Sequence, residues 1–389
     1  MNSKDLYNAI GKVDDDILEQ SETAKKKTNW LKWGAVAACL CLVIGGGIFW
    51  MARFRTGPGG LPMLRVQDSA QGSMGFEGVL CYDINEINNG NPWREDMTFS
   101  SLPVFENRAY HPAGEPVGLD EAAVLNRLEA ACTALGLEGT EPKYERSGAR
   151  VLSIKIEAGG MTVTAEADGT VTVNFEEGLV LPEGLRFTWY DTSSQEAQEA
   201  MAYFTRQFDQ LLNFEEPEIV LSGGYIMWND YDQAGNYLQE VRFEREYMLY
   251  EGAGDETEQL LNYKMHYARF YPDDEGRLSL IRIYDNLSCA DKLGDYPIIT
   301  QAAAREALLR GNYITSVPYA IEDETLVQKV ELVYRSGASE QTLMPYYRFY
   351  VELPDMRRED GLTDFGAYYV PAVSPEYISN MPLWDSSFN

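Results

Sequence analysis

Twenty consecutive residues without a charge, Trp33 to Ala52 (WGAVAACLCLVIGGGIFWMA), constrain this chain more than any other segment. A helix of that length spans about 30 Å, the thickness of a bilayer's hydrocarbon core. Trp33 and Trp50 mark its edges, where indoles favour the headgroup region, and Leu40, Leu42, Ile44 and Ile48 lie between them. The apolar character runs all the way round, which fits a membrane span better than a core helix. A cleaved signal fits less well, because the run is long and stands behind a 32-residue polar prefix. Val36-Ala37-Ala38-Cys39 looks like a lipoprotein cleavage box, yet the apolar run continues past the cysteine. The expectation is one transmembrane helix over 33–52.

Flanking basic residues orient such a helix. Lys25, Lys26, Lys27 and Lys32 precede the run, and Arg53, Arg55 and Arg65 follow it. The balance favours a cytoplasmic N-terminus in a single-pass cell-membrane protein, with residues 53–389 outside the cytoplasm. The net charge of -29 divides along the same line: residues 1–55 carry eight basic and six acidic residues, the remainder 24 and 55. So acidic a body repels phosphate, which excludes a general nucleic-acid binder. Hydrophobic residues at 45% and aromatics at 12% exclude a disordered acidic tail.

Before the apolar run, Leu6, Ile10, Val13 and Ile17 fall on one stripe of a helix. They are candidate partner contacts; the alternative is a solvated tether of partial helicity. Asp14, Asp15 and Asp16 disfavour a helix lying on anionic lipid. DLYNAIGKVDDDILEQ, the Lys-rich spacer and KWGAVAACLCLV together resemble the start of clostridial-type bacterial membrane proteins, some described as anti-sigma-like.

Beyond residue 56 the pattern changes to helices each followed by strands. Residues 78–84 and 102–105 read as strands among turn residues. Helices are predicted from Asp120 to Leu135, from the Ser193–Glu196 capping box through Leu212, and from Thr300 to Gly311. Alternating segments follow each one, among them VLSIKIEA, MTVTAEADGTVTVNF, YLQEVRFEREYMLY and PYYRFYVEL. The expected fold class is an α+β ectodomain built of helix–strand–strand units with antiparallel sheets, preceded by the transmembrane helix. The expected organisation is a cytoplasmic segment 1–32, the span 33–52, and ectodomain parts 53–185, 186–290 and 291–389. In the last of these, YPIITQAAAREALLRGNY, PYYRFYVEL and YYVPAV resemble PepSY-type modules. They also resemble ectodomains of accessory proteins that restrain a Gram-positive cell-wall sensor kinase. That resemblance implies a mostly non-enzymatic module.

The search for chemistry is negative. His111 and His266 have no nucleophile motif beside them, and no GxSxG is present. Cys81, Cys132 and Cys289 lack metal-ligand spacing and leave one possible disulfide open. The turns Asp230–Asn236 and Tyr271–Gly276 mimic calcium loops only in part, for Val241 stands where the twelfth-position glutamate belongs. No catalytic, cofactor or metal residue is assigned. The expected function is a membrane-anchored, non-enzymatic extracytoplasmic regulator or sensor, held in the lipid bilayer by one helix and working through a protein partner in the envelope. The alternative is an adhesive module binding cell-wall glycan through Trp93 and exposed tyrosines. A hydrolase with a diffuse carboxylate site ranks third.

Overall fold

The computed structural model describes residues 57–66, 79–82, 90–111, 118–137, 141–315, 317–337, 339–353 and 361–385. The chain separates into two units, Met1–Arg55 and Thr56–Asn389, and all of the first lies outside the described residues. The stripe of Leu6, Ile10, Val13 and Ile17 therefore lies outside them, as does the apolar run with Trp33, Leu40, Leu42, Ile44, Ile48 and Trp50. Against the expectation of a transmembrane helix, no helix among the described residues is long and apolar enough to cross a membrane, and 33–52 itself lies outside them.

The turn-rich stretch before residue 110 forms two short strands, β1 (Val79–Tyr82) and β2 (Ser101–Asn107). Helix α1 (Glu121–Ala134) begins where the Asp120 side chain accepts the Ala123 N–H, satisfying one orphan donor of the first turn. Four strands follow, β3 (Lys143–Ser147), β4 (Arg150–Ala158), β5 (Met161–Glu166) and β6 (Val171–Leu179). The Ser193–Glu196 capping box starts α2 (Ser194–Gln207), and a short α3 (Asp209–Leu212) continues it. Two long strands come next, β7 (Pro217–Tyr231) and β8 (Tyr237–Glu251).

A helix that the sequence pattern does not announce, α4 (Glu256–Met265), then opens on a second capping box, Asp255 with Glu258. After it run β9 (His266–Pro272), β10 (Leu278–Asp285) and β11 (Ala290–Pro297). Helix α5 (Gln301–Leu309) and the short β12 (Ile314–Thr315) lead to β13 (Val327–Tyr334). The chain closes with β14 (Thr342–Leu343), β15 (Pro345–Glu352) and β16 (Thr363–Pro371).

The strands form three antiparallel sheets. Eight make one sheet in the order β3-β4-β5-β6-β10-β9-β8-β7, five make a second in the order β1-β16-β15-β13 with β12 also on β16, and three make the third, β11-β2-β14. This corrects the expected fold class: strand accounts for 43% and helix for 22% of the described residues, so their fold is mostly β and not an array of helix–strand–strand units. The reason is the pairing. β6 pairs with β10 across the expected boundary at 185/186, and β1 and β2 pair with β16, β11 and β14 from the far end of the chain. Each predicted unit has a sheet edge that only another unit's strand satisfies.

Two faces organise the cores. Helices α1, α2 and α3 cover one face of the eight-stranded sheet, with Val124, Leu128, Phe204 and Leu212 packed on Ile154, Val163, Leu249 and Ile281. The five-stranded sheet is buried on both sides. Leu332, Phe349, Val351 and Tyr368 face α4 and α5, whereas Val333, Tyr346 and Tyr369 pack with Val220, Met248 and Tyr250 of β7 and β8.

Candidate functional site

The β7–β8 hairpin outruns its support. Its register holds over fifteen pairs, from Pro217↔Glu251 to Tyr231↔Tyr237, but β9 pairs with β8 only at Met248–Tyr250. Farther out, the segment around Tyr190 takes over: the Asp191 N–H donates to the Phe243 carbonyl (2.9 Å) and the Arg245 N–H to the Trp189 carbonyl (2.8 Å). Past Phe243 the described structure is a two-stranded arm.

Residues directly opposed across an antiparallel pair share a face. One face of the arm therefore carries Tyr225 with Phe243, Met227 with Val241, Asn229 with Gln239, and Tyr231 with Tyr237. No residue of the eight is charged. The same face of the same strands, continued inward through Leu221, Tyr247 and Leu249, is the one α2 covers in the core. Beyond the start of α2 the cover ends while the uncharged pattern continues. Met227, Tyr231 and Tyr237 are 40%, 67% and 55% exposed in consequence. Near its root the strip enters a hollow of about 630 Å³ between Tyr225, Val241 and Phe243 and the chain from Asp191 to Ser194.

The opposite face is pinned. The Arg242 guanidinium lies 4.6 Å from the Trp228 ring centroid, and Trp228 packs edge-on against Tyr190 at 4.6 Å. At the root, back on the side of Phe243 and Tyr247, buried Arg245 donates from Nη2 to the Thr192 carbonyl (2.9 Å) and from Nη1 to the Ser222 carbonyl (3.3 Å), clamping β7 to the approach to α2. Gly223 lies opposite it at φ +145, where a Cβ would stand 2.2 Å from the Glu244 carbonyl oxygen. Only glycine lets the strands approach so closely there. At the tip, Asp232 accepts the Ala234 and Asn236 N–H groups through Oδ1 and the Asn236 side-chain amide through Oδ2. The Asn236 amide and these backbone donors hold the Asp232 carboxyl below its usual range. Both its oxygens serve the turn. Asp273 does likewise in the β9–β10 turn, accepting from the Glu275 N–H, the Arg277 N–H and Arg277 Nε. No group of ligand side chains among the described residues is placed to hold a metal ion.

A second cavity, of about 570 Å³, opens on the other side of the arm's root, between β7, β8 and β9 and the five-stranded sheet. Arg269 donates to Glu246 (2.9 Å), and Glu246 also accepts the Ser222 hydroxyl (2.5 Å). Burial, and then the neighbouring Glu246 charge, raise the Glu244 carboxyl above its usual range. From the facing sheet, Arg348 donates to Glu331 (2.6 Å), which also pairs with Lys329 (2.5 Å).

The residues singled out from the sequence fall elsewhere. Trp93 is half-buried, its ring edge-on to Tyr347 at 6.4 Å, and its backbone N–H donates to the Asn91 side-chain oxygen. His266 packs edge-on against Phe214 at 4.9 Å, and burial lowers its imidazole below the ordinary value against the pull of Asp285 and Glu251. Cys132 and Cys289 are buried free thiols. Tyr346, Tyr350 and Tyr368 are buried and present no ring to solvent. Sequence reasoning passes over the arm, although its signal is present: two runs alternating with period two on either side of Asp232–Asn236. In comparisons with known proteins, no family model matches this chain, and no curated protein matches it.

Proposed function

We propose that this chain is a non-enzymatic interaction module that docks a protein partner on the uncharged face of the β7–β8 arm. The carrying observation is that a core-type sheet face continues past its helical cover and ends exposed. Clustered exposed apolar groups of that kind mark interaction surfaces. Tyrosine and methionine are typical interface residues, and the hollow at the root is shaped to take an anchoring side chain.

Charge specifies the partner further. Asp230, Asp232 and Glu240 rim the tip of the arm, and the chain as a whole is at -29. The complementary surface is an apolar patch bordered by lysine or arginine. Such a contact suits a regulator or sensor, because the arm's root is locked to the body through Arg245 and its tip is free to engage. The glycan-binding alternative is less well served: the exposed Tyr231 and Tyr237 rings stand at 66° to each other, not as a coplanar platform.

The test replaces Tyr231 and Tyr237 together by serine and Met227 by aspartate in the full chain. Partner recovery by affinity purification from the expressing cells is expected to drop sharply with either variant. It should be unchanged with Lys155→Gln, at a half-buried position of β4 far from the arm in the sheet order. Equal recovery from all variants contradicts the reading, as does saturable binding to isolated cell-wall glycan that needs the same residues.

A further inference from the structure

A strand at the rim of a sheet needs a defence against pairing with another chain, and β7 lacks the usual ones. It is the last strand of the eight-stranded sheet. At the other rim, β3 is only five residues long, and Lys143, Glu145 and Arg146 are charged. The rim strand β11 of the three-stranded sheet carries Asp291, Lys292 and Asp295 and ends on Pro297. In β7 the eleven residues from Ile219 to Asn229 hold no charge and no proline. Its register runs through fifteen pairs without a bulge.

The pairing phase fixes which backbone groups the open edge offers. Phe243 and Arg245 turn theirs away from β7, toward Asp191 and Trp189. Backbone groups alternate in direction along an antiparallel strand, and a residue opposite an outward-turned one is itself turned outward. Gly223, opposite Arg245, therefore directs its N–H and C=O to the open edge, as do Met227 and Asn229 further along. No backbone hydrogen bond from the described residues reaches these three groups there. At Tyr231 the series closes, because the Asp230 carboxylate accepts the Tyr231 N–H (2.7 Å). We propose that this edge takes up an extended segment of a protein partner as an added strand. The chain is at -29, with Asp230 and Asp232 at the end of the edge, so a second copy would bring like charge. The segment that fits is a run of uncharged β-formers with lysine or arginine at its ends. Its alternate side chains lie beside Met227 on one face and beside Ile226 and Trp228 on the other. Strand addition rests on the docking reading for the arm as the contact, and adds the way the partner is held.

The probe is a library of lysine-flanked peptides with about seven variable positions, the span of Gly223–Asn229, drawn from Val, Ile, Thr, Tyr and Phe. It is screened against the full chain. With a bound member, residue-resolved hydrogen exchange is expected to slow about tenfold or more at Gly223, Met227 and Asn229. It should slow less at Gly224, Ile226 and Trp228, whose backbone groups face β8. Met227→Pro removes one outward N–H and spares the β8 ladder, and should weaken binding about tenfold or more. Met227→Val should bind as the wild type does. Asn229→Pro provides the same readout should the first proline variant fail to fold. A library without binders, uniform slowing, or wild-type binding by both proline variants overturns the proposal. So does equal binding of glutamate-flanked peptides, or a dimer of the full chain that Met227→Pro dissolves. Proline variants that keep the affinity-purified partner, when the Tyr231 and Tyr237 serine variant loses it, sink strand addition and leave the docking reading standing.

Discussion

Glu331 shows how a single residue decides the character of a strand. It sits in β13 among Val330, Leu332 and Val333, 3% exposed, and accepts from Arg348 and Lys329. Glu331→Gln takes its carboxylate away from buried Arg348, and urea unfolding should record a loss of about 3–5 kcal/mol. His266 is the second diagnostic residue. Burial first, with Arg127 adding to it, lowers its imidazole below the ordinary value despite Asp285 and Glu251. The unfolded chain therefore takes up a proton that native His266 refuses. Its contribution to stability is complete above the ordinary imidazole pKa and is lost as pH falls through that value toward the lower native one. Denaturation midpoints should fall between about pH 8 and about pH 6, and His266→Phe should flatten that decline.

Among the elements, the β7–β8 arm depends on the close strand approach at Gly223. Gly223→Ala puts a Cβ against the Glu244 carbonyl at a backbone angle L-residues rarely adopt. A cost of about 1–3 kcal/mol is expected, with hydrogen exchange rising first at the Asp191–Phe243 and Trp189–Arg245 bonds. Helices were legible where caps and apolar faces coincide, as in α1, α2 and α5. Helix α4 was not, because its ten residues lie wedged between two strands and its capping box belongs to an acidic turn. The arm was legible as two strands but not as a site. Alternation of Tyr225, Met227, Tyr231 and Tyr237 reads the same whether the face is buried or bare. Only the position of α2 decides where the cover stops.

At the scale of the whole molecule, the sheets bind distant parts of the chain together. The expected C-terminal unit 291–389 contains β13, β15 and β16, but β16 also pairs with β1, and β11 and β14 both pair with β2. Expressed alone, 291–389 should lack a cooperative thermal transition, and adding back residues 57–110 in trans should restore part of it. A cooperative transition in the isolated fragment would contradict this dependence. Local periodicity revealed most of the strands, whereas their partners are set by long-range edges that one sequence does not display. That is why the expected repeat of units gave way to three shared sheets. The acidic surplus was legible as a repulsive surface.

The most direct test of the docking surface is site-specific photocrosslinking in the expressing cells. A photoreactive residue replaces Met227 on the uncharged face in one variant and Lys155 on β4 in another. The arm position is expected to yield one discrete crosslinked protein, whose contact peptide is apolar with flanking lysine or arginine, and the β4 position none. The same crosslinks from both positions, or none from the arm, would contradict the central claim.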